Sequence, residues 1–124
     1  MQSMWKIPDV SKIETPVAIM RAQADALTNL SDGLLLGTVD ATGSGSDIKY
    51  EFKIIVPNLN RYTFSVVLYN QKITALFEGM MYSYASAKRY QVTNLQNFTA
   101  YLEEVLGSPE VTNVVASLLA QARN

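Results

Sequence analysis

This chain of 124 residues has no cysteine and no histidine, 17% charged residues and a net charge of −1. Disulfides, thiolate metal sites and cysteine catalysis are excluded, and so are the commonest general base and the commonest transition-metal ligand. With 48% hydrophobic residues and 11 acids against 10 bases, the composition is that of an ordered domain without the basic field that draws nucleic acid.

Residues 1–14 read as an irregular lead-in. The stretch from Met1 to Val10 holds no apolar core of signal-peptide length. The longest apolar runs span only a few residues, as at Leu34-Leu35-Leu36. No membrane partner and a cytoplasmic location are therefore expected. Trp5, the only tryptophan, is expected to tether the lead-in onto the domain formed by residues 15–124, because an aromatic this large usually packs at home. The alternative is a hook for a partner.

Thr15-Pro16 opens a helix with a preferred cap and a proline at the first helical position. Val17, Met20, Ala24 and Leu27 form its apolar stripe, and Gly33 suits a left-handed turn at its end. A first strand is expected over Leu34 to Thr42, followed by a Gly-Ser connector at 43–46. The second strand, Asp47 to Val56, carries an unbroken alternation from Ile48 to Ile54. One of its faces is therefore wet and one buried. The third strand, Arg61 to Tyr69, would put Tyr62, Phe64, Val66 and Leu68 on one face and Val67 and Tyr69 on the other. A fourth is expected over Ile73 to Phe77. The stretch from Glu78 to Val92 fits a bent strand, an edge strand or a loop, with a further short strand at Lys88 to Val92. Thr93-Asn94 then caps a second helix with the stripe Leu95, Phe98, Leu102 and Val105. Ser108-Pro109-Glu110 opens a third beyond Gly107.

The expected architecture is α+β: an antiparallel meander sheet of four to five strands, with one N-terminal helix and two C-terminal helices on one face as a two-layer sandwich.

Asp40 with Glu51-x-Lys53 resembles the constellation of many metal-dependent nucleases, in which carboxylates hold Mg²⁺ and a lysine positions water. In a chain with 11 acids such a short match arises readily by chance, and alternation already calls for polar residues there. A second candidate is Met80-Met81-Tyr82-Ser83-Tyr84 followed by Lys88-Arg89-Tyr90. Met and Tyr favour contact surfaces, and a basic pair would steer an acidic partner. Packing at the core edge explains the same residues equally well. Tyr50, Phe52, Tyr62 and Phe64 sit on apolar strand faces without a positive groove, which argues against stacking on nucleic acid bases. The last helix carries no cation before Arg123, which argues against a DNA-reading helix pair. Neither a phosphate-binding glycine loop nor a serine nucleophile elbow is present.

No catalytic residue, metal or cofactor is assigned. The function expected is a non-enzymatic protein-binding module, of the adaptor, chaperone or immunity type, that self-associates as a homodimer. Met80, Met81, Tyr82, Tyr84, Lys88 and Arg89 are its expected partner-binding residues. Its rivals are a Mg²⁺-dependent nuclease built on Asp40 and Glu51-x-Lys53, and a small-ligand binder with an aromatic pocket between sheet and helices.

Overall fold

In the computed structural model, residues 3–124 are described. Met1 and Gln2 of the lead-in lie outside the described residues. Helix α1 spans Pro16–Leu30 and is followed by strands β1 (Leu36–Ser44), β2 (Asp47–Val56), β3 (Tyr62–Lys72), β4 (Ala75–Ser83) and β5 (Arg89–Val92). A single 3₁₀ turn, Pro57–Leu59, links β2 to β3, and helices α2 (Leu95–Leu106) and α3 (Pro109–Ala122) close the chain. The strands form one sheet in the order β1-β2-β3-β4-β5, every neighbouring pair antiparallel. The fold is the α+β meander sandwich expected from the sequence, with five strands.

The helices begin where side chains can satisfy their first free N–H groups. The Thr15 hydroxyl accepts from Ala18 N, and the Ser108 hydroxyl accepts from Val111 N. Asn94 and Asn97 form a reciprocal capping box at α2. Gly33 adopts φ +79°, the left-handed turn that a residue without Cβ takes at least cost. The Gly-Ser connector is tighter than expected, because β1 runs on to Ser44 and only Gly45-Ser46 separate it from β2.

β2 sends Phe52, Ile54 and Val56 into the core, each at most 2% exposed. Met20 and Ala24 of α1, Phe98, Leu102 and Val105 of α2, and Val111, Leu118 and Ala122 of α3 pack with them in one cluster. α1 lies close against β1. A Cβ on Gly37 would collide with the Ala24 carbonyl, so only glycine admits this approach. Thr28 Oγ1 accepts from Gly37 N at 2.9 Å, and the Ser31 hydroxyl both donates to Leu35 O and accepts from Leu35 N. The start of the edge strand is thereby covered.

β3 departs from simple alternation. Its pairing with β2 shifts between Phe52 and Lys53, where Val67 opposes Phe52, Ser65 opposes Lys53 and Val66 is the extra residue of a β-bulge. The bulge reverses the phase of the rest of the strand. Val67 and Tyr69 join Tyr62 and Phe64 on the helix-covered face, and Leu68 turns to the other face, opposite to the sequence expectation. β4 is Ala75–Ser83 rather than Ile73 to Phe77; Ile73 sits in the turn and is 54% exposed.

The lead-in also differs from expectation. Every residue from 3 to 14 is exposed, and Trp5 is 84% exposed instead of tethering the segment to the core. Its hydrogen bonds among the described residues are local, such as Ser11 N to Asp9 Oδ1. Proline at position 8 and charges at Lys6, Asp9 and Lys12 interrupt the apolar residues, which leaves no continuous stripe to lay on the sheet.

Tyr69 is the largest fully buried side chain. Its ring meets Phe98 edge-on at 4.9 Å, and its hydroxyl donates to the Leu76 carbonyl at 2.9 Å. Burial, and then the charge of Glu78, push its phenol up to about 12. The neutral form is favoured in the folded state. The associated stability is therefore complete below the unfolded value near 10 and disappears as pH rises from 10 through 12, by roughly 3 kcal/mol. We expect Tyr69→Phe to lower stability at neutral pH by about 1 kcal/mol through loss of the hydrogen bond. It should also flatten the decline between pH 10 and 12. Urea unfolding at pH 7, 10 and 11.5 measures both effects.

Candidate interaction face of the sheet

The helices cover only one face of the sheet. The register places Thr38 and Asp40 of β1, Lys49, Glu51 and Lys53 of β2, Ser65 and Leu68 of β3, Met80 and Tyr82 of β4, and Arg89 and Gln91 of β5 together on the other. No helix among the described residues packs on this face. Two sequence candidates some thirty residues apart, the Asp40/Glu51/Lys53 set and the Met/Tyr segment, therefore share one surface.

The bulge at Val66 joins them. Its carbonyl accepts from Tyr84 N at 3.1 Å, which extends β4 by one contact beside β3. Tyr84 then lies against Tyr82, with ring centroids 5.1 Å apart at 85°. Burial, with Glu51 and Tyr82 nearby, raises the Tyr84 phenol above its ordinary value. The Arg89 guanidinium sits 5.7 Å from the centre of the Tyr82 ring, within cation–π range. Met80 and Tyr84 are 37% and 39% exposed, and Arg89 is exposed.

Two residues expected on this surface are elsewhere. Met81 is fully buried in the core, since neighbouring strand residues point to opposite faces and the register gives the outer place to Met80. Lys88 is exposed but lies in the turn before β5, among Ser86, Tyr90 and Glu104 at the helix-side edge, away from Arg89. Leu68 is the face residue that the sequence reading missed, because the bulge has no compositional mark: Val66 and Val67 are both apolar and both buried.

Asp40, Glu51 and Lys53 are engaged within the face. Lys53 Nζ meets Asp40 Oδ2 at 3.0 Å. The Ser65 hydroxyl donates to Glu51 Oε2. The hydrogen bond to Asp40, then the charges of Glu51 and Asp40, raise the Lys53 pKa. A lysine stabilised as a cation is a poor proton acceptor at neutral pH. No group of three or more His, Cys, Asp or Glu arranged for a metal occurs among the described residues. Comparison with family models, with curated proteins and with solved structures returns no match for this chain.

The raised Lys53 pKa means that the pair contributes below the unfolded lysine value near 10.4 and ceases to contribute as pH rises through the folded value. We expect Asp40→Asn to lower the Lys53 pKa, read by NMR titration of its ε-methylene. The thermal melt at pH 7 should barely move, as is usual for an exposed ion pair.

Proposed function

We propose that this chain is a non-enzymatic protein-binding module whose contact surface is the open face of the sheet. One observation carries the proposal: Met80, Tyr82, Tyr84, Leu68 and Arg89 lie together on a sheet face that no helix among the described residues covers. Aromatic rings, methionine and arginine are the residue types enriched at contact surfaces. Arg89 with Lys49 suits a partner that presents carboxylates around an apolar centre. The Asp40–Lys53 pair and the Glu51–Ser65 bond would form part of a polar rim. No helix of the described residues is long and apolar enough to cross a membrane, and a cytoplasmic protein partner fits this reading.

The nuclease reading gains proximity, since Asp40, Glu51 and Lys53 share the face, but its acids are already engaged. The small-ligand reading has its own support in an apolar cavity of about 160 Å³ between sheet and helices, with Phe52 on its floor.

Three measurements separate these readings. Capture from lysate of the source cell should yield a partner with the wild type, and Tyr82→Ala/Tyr84→Ala/Arg89→Ala should lose it by at least about tenfold, as removal of clustered aromatic and arginine anchors does. An equal yield from both proteins would defeat the proposal. Mg²⁺- or Mn²⁺-stimulated cleavage of nucleic acid that disappears in Glu51→Gln would establish the nuclease instead. A metabolite that raises the melting temperature would favour the ligand binder.

A further inference from the structure

α1 and the α2–α3 pair stand apart on the covered face of the sheet. Between them runs a groove whose floor is Phe52, Ile54 and Val66. At one end Leu27 and the exposed Leu30 of α1 face Val111 and Val115 of α3 around a hollow of about 160 Å³. Gln23 and Leu106 continue into a second hollow of about 460 Å³, bordered by Ile19 and Leu102. From Ile19 to Leu30 the groove follows α1 for roughly 16 Å, taking 1.5 Å per helical residue. No residue of the lead-in lines it.

The lead-in has the complementary defect. Met4, Trp5, Ile7, Val10 and Ile13 are 92%, 84%, 85%, 61% and 52% exposed. Five large apolar side chains in ten residues face water, and none of them is covered by its own copy. The apolar hollow has room for an aromatic anchor, because ~150 Å³ accommodates one ring. The second hollow leaves room for the rest of an indole and the chain that follows it.

We propose that two copies of this chain exchange these arms, residues 4–13 of each lying in the α1/α2–α3 groove of the other with Trp5 as anchor. Two observations favour exchange over closure on the arm's own groove. Thr15 is held extended (φ −106°, ψ 152°) by its bond from Ala18 N and by the proline after it. The arm therefore leaves α1 instead of doubling back along it. Reciprocal exchange also covers two arms and two grooves at one interface, the direction in which the area a stable dimer needs is gathered. The proposal deepens the self-association expected of a binding module and uses the opposite side of the molecule from the open sheet face.

The sole tryptophan makes the test direct. With the full chain, Trp5 emission should move to the blue as concentration rises, in step with a monomer-to-dimer transition in sedimentation. Leu30→Glu alters an 86%-exposed groove residue, and Trp5→Ala/Ile7→Ala alters only exposed arm residues, so both should keep the wild-type circular dichroism. Each should raise the dimer Kd by at least about tenfold, in line with loss of a buried anchor. Tyr82→Ala/Tyr84→Ala/Arg89→Ala should dimerise like wild type, so failure of the open-face reading leaves this result intact. Three outcomes overturn the exchange: a monomer with water-exposed emission at every concentration, a blue emission independent of concentration, or a dimer that survives both groove and arm variants.

Discussion

The alternation of β2 is the constraint on which the rest of this structure depends. Phe52, Ile54 and Val56 must leave water, while Lys49, Glu51 and Lys53 must stay in it. A five-stranded meander built around such a strand has one face to cover. Two elements follow the sheet in sequence and one precedes it, and all three carry their apolar stripes to the same side. The fit of α1 against β1 requires Gly37, since a side chain there would meet the backbone of Ala24. Where α1 and the α2–α3 pair stand apart, a groove is left between them that reaches down to Phe52, Ile54 and Val66.

A single inserted residue sets the character of the open face. Without the bulge at Val66, Leu68 would lie in the core and Tyr69 outside it. With it, Tyr69 becomes the buried centre of an aromatic cluster with Phe98, and Leu68 joins Tyr82 on the surface. The carbonyl of the bulged residue is taken by Tyr84 N, which holds the tyrosine pair beside Glu51 and Lys53. Core packing and surface chemistry are thus coupled through one irregularity of β3, consistent with the placement of bulges where a side chain is re-aimed.

How far these features are legible in the sequence varies by type of signal. The body of β2 follows from alternation and its ends from the Gly-Ser connector and Pro57, and the three helix starts follow from Thr15, Asn94 and Ser108, whose oxygens have a specific donor to satisfy. The bulge is silent because Val66 and Val67 are equally apolar. The split of Met80 from Met81 depends on cross-strand register, which no local pattern between Glu78 and Val92 encodes. Lys88 beside Arg89 reads as a basic pair, yet the turn sends the two to different sides of the sheet edge. Trp5 shows the limit of residue preference: a large aromatic is expected to pack, yet it stands 84% exposed on an arm whose apolar residues are broken up by Pro8 and by charges.

The molecule presents two uncommitted apolar surfaces on opposite sides, an aromatic sheet face and a groove paired with an exposed arm. On the sheet face Asp40 and Lys53 are paired with each other, and Glu51 accepts from the Ser65 hydroxyl. Oxidative footprinting of the free protein and of its partner complex tests this division most directly, because Met80 and Met81 are adjacent in sequence and opposite in exposure, at 37% and 0%. Met80, Tyr82 and Tyr84 should label readily in the free protein and become protected in the complex, with Met81 and Tyr69 protected throughout. Equal labelling of Met80 and Met81, or unchanged labelling of Tyr82 and Tyr84 on complex formation, would contradict an open contact face.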